Sequence, residues 1–239
     1  MLAITTIGFS LVWGVLAASY FGYSPPKESL LGALKIVDMN DIDTMMRLSI
    51  AVGVIHIAVA NGVMAYQRRG KTIALASLGW LAVVIGGFIV GYSAPSLIQQ
   101  TGYGLLIAGG LCLLLFSSEH VIVKPIDWLW RILYGLKSLF GVAGLFGDVL
   151  SYMRLFALGL ASAYLALTFN QLAAQVYQAV PGIGLLFSLL ILIAGHTLNL
   201  LLCLMSGVVH GLRLNFIEFY NWSISDEGYP FKAFSKKGV

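Results

Sequence analysis

Charge is scarce in this sequence. Only 10% of its 239 residues are charged, against about a quarter in a soluble globular domain. At 59% hydrophobic residues and a mean hydropathy of +0.90, the chain is too apolar to be solvated by water. The net charge of +4 is small, and nucleic acid is not an expected partner. Cysteine is confined to Cys112 and Cys203. Each lies in its own apolar run, which reads as a buried small hydrophobe rather than half of a disulfide or a metal ligand. No CxxC, HExxH, P-loop or helix-opening GxGxxG is present, so neither cofactor nor metal is expected. The opening stretch "MLAITTIGFSLVWGVLAASYFGY" has no basic n-region and no cleavage site. It reads as a retained span rather than a signal peptide.

What is abundant is long apolar runs. A helix needs about 20 such residues to cross the hydrocarbon core. Segments 2–22, 46–66, 72–92, 102–118, 144–174 and 182–220 qualify. The expected fold is therefore all-α, a polytopic membrane protein with about six spans in one membrane domain. Residues 1–118 form a four-helix part. Residues 119–143 form a connector in which Trp128, Leu129, Ile132, Leu133 and Leu136 surround Arg131 and Lys137, the pattern of an amphipathic helix lying on the membrane. Residues 144–220 form two long helices, and 221–239 a tail. The last helix, from Pro181 to Tyr220, is about 60 Å long at 1.5 Å per residue. The hydrocarbon core is only about 30 Å thick, so this helix must tilt or project beyond it.

The positive-inside rule orients the chain. With the C-terminus in the cytoplasm, Arg68, Arg69, Lys71, Lys124, Arg131, Lys137, Lys232, Lys236 and Lys237 fall inside. Lys27, Lys35 and Arg47 fall outside, beside the acidic Asp38, Asp41 and Asp43. Both termini are then cytoplasmic. Two basic residues remain, Arg154 and Arg213, and both lie within spans.

Ionisable groups in a span are costly; they usually face protein or water and mark ion pathways. Residues seven apart share a helix face. On the last helix this rule aligns Asn199, Ser206, Arg213 and Tyr220, with His210 and Cys203 beside them and His196 further round. On the fifth it aligns Arg154, Ala161, Thr168 and Gln175, on a helix whose small residues allow close approach. Each has a plainer reading. Arg213 can snorkel to the headgroups, Arg154 can meet Asp148, and His196 and Asn199 can be glue between helices. Thr168, Gln171, Gln175, His196 and Asn199 collect at the outer end of the two long helices. His210 and Glu218, with Glu119 and His120, collect at the cytoplasmic end. Glu119 and His120 also read as a solvated pair at the membrane interface.

These residues carry a resemblance. "GDVLSYMRLFALGLASAYLA" at 147–166 resembles the penultimate helix of the membrane stator subunit of V/A-type ATPases, subunit I or subunit a. "GHTLNLLLCLMSGVVHGLRLNFIEFY" at 195–220 resembles its last helix, and "EGYPFKAFSK" at 227–236 its tail. "FSLVWGVLAASYFG" and "VGVIHIAVANG" match more weakly. The resemblance implies the C-terminal membrane half of that subunit. The family's soluble N-terminal half and the other stator subunits would then be partners, as would the lipid bilayer and a rotating proteolipid ring of c/K subunits. It implies a bacterial inner membrane location. It further implies that Arg154 and Arg213 face the ring's ion-binding carboxylate and couple transport of H⁺ or Na⁺ to rotation, with no ATP site in this chain. At Cys203 some members carry a glutamate and at His210 many carry glutamine, so the chain departs from the family there.

Other functions leave different marks. A secondary transporter or channel would carry internal repeats and broken helices at the midplane. An intramembrane enzyme would need a nucleophile–base or metal pair. A bare anchor has no use for polar stripes.

Overall fold

In hydrocarbon a backbone must satisfy its own polar groups, which leaves apolar runs of this length one solution, the helix. The computed structural model describes residues 1–17, 20–26, 28–36, 41–92, 97–118, 125–224 and 231. Helix α1 spans Leu2–Ala17, and a single turn, α2, spans Leu30–Ala33. Helix α3 spans Ile42–Gln67, α4 Ile73–Tyr92 and α5 Leu97–Phe116. Helix α6 spans Pro125–Ser151, α7 Met153–Ala179 and α8 Gly184–Arg213. A π-helical segment, Leu214–Phe219, carries α8 into the short α9, Tyr220–Ser223.

Local chemistry sets several of these limits. Asp41 caps α3 by accepting from the Thr44 N–H at 3.2 Å, and "RRGK" then turns the chain through Gly70 at φ +90°. Pro125 opens α6, where its missing N–H has no partner to lose. Gly182, at φ +89°, makes the turn between α7 and α8.

Five helical stretches are long and apolar enough to cross a membrane: 42–67, 73–92, 97–116, 127–179 and 184–223. This is the all-α membrane architecture expected, with three differences in detail. First, α1 ends at Ala17. Its 16 residues reach about 24 Å, short of the expected span 2–22. The chain turns back beyond it, where Tyr20 and Tyr23 exchange two backbone hydrogen bonds of 2.9 Å. Second, residues 125–143 of the expected connector 119–143 and the start of the fifth span are one helix, α6. The interruption falls at Tyr152 instead, where Tyr152 N–H reaches Val149 O and Leu155 N–H reaches Tyr152 O, each a three-residue step. The connector's apolar face, Trp128, Leu129, Ile132, Leu133 and Leu136, is exposed, as a membrane-surface face would be. Third, the packed chain continues past residue 220. Trp222 of α9 meets Trp80 edge-on at 5.1 Å, so the expected tail at 221–239 begins with a docked turn. Residues 225–230 and 232–239 of that tail lie outside the described residues, as do Glu119 and His120.

α3 lies at the centre and touches α4, α6, α7, the π segment and α9. Its Val54 and Ile57 join Val83, Val84, Leu113, Leu145, Tyr152 and Leu214 in the buried core. α4 packs on α5, and α7 on α8. Arg131 fastens α6 to the end of α5: its Nε donates to the Leu115 carbonyl, and its guanidinium lies 5.7 Å from the centre of the Phe116 ring. Lipid tails are as apolar as leucine, so helices in lipid pair through close contact rather than hydrophobic expulsion. α4 and α5 show this at Gly79 and Gly109, where a Cβ on Gly109 would stand 2.7 Å from the Gly79 carbonyl oxygen.

Gly109→Val is therefore expected to destabilise the chain by about 1–3 kcal/mol through overpacking. Gly110→Val, beside it but with nothing within 4 Å, is expected to change little. Thermal unfolding in detergent compares the two.

Candidate functional site

The antiparallel pair α7–α8 carries most of the candidate residues, and hydrogen bonds join the two helices at three levels. Asn199 Nδ2 donates to the Ser162 carbonyl at 3.1 Å. The Cys203 thiol donates to Ser162 Oγ at 3.0 Å. His196 Nε2 lies 2.9 Å from Asn170 Oδ1. Asn170 Nδ2 in turn donates to the Phe21 carbonyl at 2.8 Å, and the Phe21 ring meets His196 edge-on at 5.2 Å. His196 and Asn199 are thus bonded across the helix pair, while Nδ1 of His196 is buried without a hydrogen-bond partner.

The remaining candidates divide by exposure. Gln171 and Gln175 are exposed near the turn end of α7, as is Thr168, whose hydroxyl bonds back to the Tyr164 carbonyl at 2.8 Å. Ser206 is half-buried and Arg213 exposed. The stripe on α8 therefore runs from the α7 contact at Asn199 to an open face at Arg213. Arg154 is half-buried, with Nη1 buried and unbonded. His210 Nδ1 is in the same condition. Glu218, on the π segment, is only 2% exposed, and its Oε2 has no partner.

Asp148 does not pair with Arg154. It accepts a 2.6 Å hydrogen bond from Trp222 Nε1. Neither Arg154 nor Arg213 has an ion-pair partner among the described residues. No group of three potential metal ligands occurs among those residues either. Cys203 proves to be exposed and hydrogen-bonded, not a buried apolar filler, and Cys112 is half-buried; both are free thiols.

The structure also adds residues that the stripes did not pick out. Ser162 and Asn170 supply the α7 side of the interhelical bonds. An asparagine in an otherwise apolar span was the available signal for Asn170. Tyr152 and His56 share a 2.6 Å hydrogen bond, and nothing in the sequence linked them.

Among known proteins, the chain is 32% identical over 207 residues to "V-type ATP synthase subunit I" of Chlamydia pneumoniae, covering 80% of this chain and 28% of that protein. It is 34% identical over 189 residues to the protein of that name from Chlamydia trachomatis, covering 77% and 27%. It is 28% identical over 236 residues to "A-type ATP synthase subunit I" of Pyrococcus abyssi, covering 96% and 35%. The chain belongs to the V/A-type ATP synthase subunit I family. It spans between 27% and 35% of the length of these three relatives. No protein-family model matches it. In this chain the α7–α8 pair carries both Arg154 and Arg213.

Removing Asn170 leaves His196 with one hydrogen bond fewer and frees the Phe21 turn. Asn170→Leu is expected to weaken the α7–α8 pair by about 1–2 kcal/mol. Thermal unfolding in detergent, with Gln171→Leu as the exposed control, measures the loss.

Proposed function

We propose that this chain is the ion-translocating part of a rotary V/A-type ATPase stator, embedded in the Vo sector beside a proteolipid ring. The observation that carries the reading is Arg154: a buried guanidinium nitrogen without a partner, on a span of small residues, with no carboxylate paired to it among the described residues. A charge held in this way is costly unless something completes it. On this reading a ring carboxylate does so. In lipid that carboxylate carries a proton or Na⁺; beside a cation at about 4–6 Å the ionised form is favoured, and the ion leaves. Arginine suits the task because its guanidinium does not give up its proton and stays charged. The fixed charge also bars ions from passing straight between the two sides.

The polar groups supply a wet route on each side of this barrier. Gln171 and Gln175, with Thr168 and the His196–Asn199 pair behind them, form the outer half-channel. Ser206, His210 and Glu218 lead to the cytoplasm. Support comes from the pairing of α7 with α8. Ser162 meets Asn199 and Cys203. Carrying that register toward Arg154 brings the 207–211 turn level with it, where His210 holds its own buried, unbonded nitrogen. Arg213, exposed on α8, assists from the ring-facing side. The surrounding subunits, the cytoplasmic placement of both termini and a bacterial inner membrane complete the proposal.

Arg154→Ala is expected to abolish ATP-driven ion pumping in reconstituted vesicles while the complex still assembles. Arg154→Lys is expected to be severely impaired, because both the fork and the fixed charge are altered. Substantial pumping by an assembled Arg154→Ala complex contradicts the proposal. Cysteines at 171 and 199 are expected to react with a charged, impermeant thiol reagent from outside, and cysteines at 210 and 218 from the cytoplasmic side. Protection at all four positions in the intact complex favours a dry core instead.

A further inference from the structure

Each arginine-bearing helix departs from regular α geometry right beside its arginine. Tyr152, two residues before Arg154, interrupts the α6–α7 helix. The π segment Leu214–Phe219 begins immediately after Arg213. An interruption or a π turn changes the rotation of everything beyond it. These two irregularities therefore set where the guanidinium groups point relative to the rest of the bundle.

Both irregularities meet one side chain on the central helix. His56 of α3 shares the 2.6 Å hydrogen bond with the Tyr152 hydroxyl and meets that ring edge-on at 5.8 Å. Its other contact is with Phe219, at the end of the π segment, stacked at 4.4 Å with an interplanar angle of 19°. Tyr152 is 1% exposed. It lies so close to α3 that a Cβ on Gly53 would come within 2.8 Å of its ring. Rings held by a hydrogen bond on one side and a stack on the other have little freedom to turn. Nothing in the ion pathway as described above uses His56 or Tyr152.

We propose that His56 is a positioning residue for both arginines, acting on Arg154 through Tyr152 and on Arg213 through Phe219. It holds the two helices in one relative rotation, so that both guanidinium groups are presented to the same surface. The inference rests on the ion-translocation reading, since a shared orientation matters only if both arginines meet a common partner. A contact needed merely for folding would affect assembly. A positioning contact affects how faithfully hydrolysis is converted into transport.

The test uses the intact ATPase complex that contains this chain, reconstituted in vesicles, and reads ions pumped per ATP hydrolysed. Tyr152→Phe removes one oxygen and keeps the ring. His56→Phe keeps a ring against Phe219 and removes the hydrogen bond. Each is expected to lower the ratio roughly fivefold, the scale of one lost buried hydrogen bond, while hydrolysis continues. The double variant is expected to be no worse than either single one, because both remove the same bond. An unchanged ratio, additive losses, or a fall in pumping and hydrolysis in proportion to lost assembly overturns the inference. So does failure of both single variants to assemble, which marks the pair as a folding contact. Arg154→Ala in parallel separates the two levels. If it pumps normally, the ion-translocation reading fails; if it is inactive while Tyr152→Phe and His56→Phe pump at the normal ratio, only the role of His56 fails.

Discussion

A guanidinium group buried between membrane helices has to be answered by an opposite charge or by water. In this chain no carboxylate among the described residues pairs with Arg154, and its Nη1 is buried without a protein hydrogen-bond partner. Asp148, the nearest acidic residue in sequence, is already bonded to Trp222. Much of the surrounding architecture can be understood from that unmet charge. The helix that bears it is rich in small residues. Its partner helix presents a second arginine. His210 on that helix and Glu218 on the π segment also keep buried polar atoms without protein partners. A protein folding for stability alone rarely leaves such groups unpaired. Groups left without a protein partner are what the proposed exchange of ions with another molecule would use.

The scaffold that keeps this arrangement in place is built by contact rather than by hydrophobic drive. Glycine pairs let α4 and α5 touch backbone to backbone. Polar side chains bridge α7 and α8 at Ser162, Asn170, His196 and Asn199. Arg131 ties α6 to the end of α5. Large apolar faces of α6 and α8 stay exposed, as expected of surfaces that meet lipid or another subunit. The chain is thus tight around α3 and open along the α8 face that carries Arg213.

The sequence showed most of the architecture and part of the site. Long apolar runs located the spans, and two arginines inside such runs singled out α7 and α8, because composition alone makes a charge in lipid conspicuous. Seven-residue spacing found the stripe on α8. It could not tell which part of the stripe faces α7, since that depends on a partner helix and not on periodicity. The break at Tyr152 was illegible for a similar reason. Tyr152 meets a histidine 96 residues away and Gly53 on that histidine's helix, and no local breaker marks it. Asp148 lies six residues before Arg154 but about 120° round the helix, and Trp222 reaches it from far along the chain. Short α1 was hidden because its apolar run continues past Ala17 into the turn at Tyr20–Tyr23.

The account depends most directly on what completes Arg154. A structure of the assembled complex, with this chain beside its rotor ring, measures the distance from the Arg154 guanidinium to the nearest carboxylate. The account predicts a ring carboxylate coming within about 4–6 Å as it passes the arginine, with no carboxylate of this chain taking that place. Arg154 paired to an acidic group of its own subunit, or facing lipid away from the ring, contradicts it.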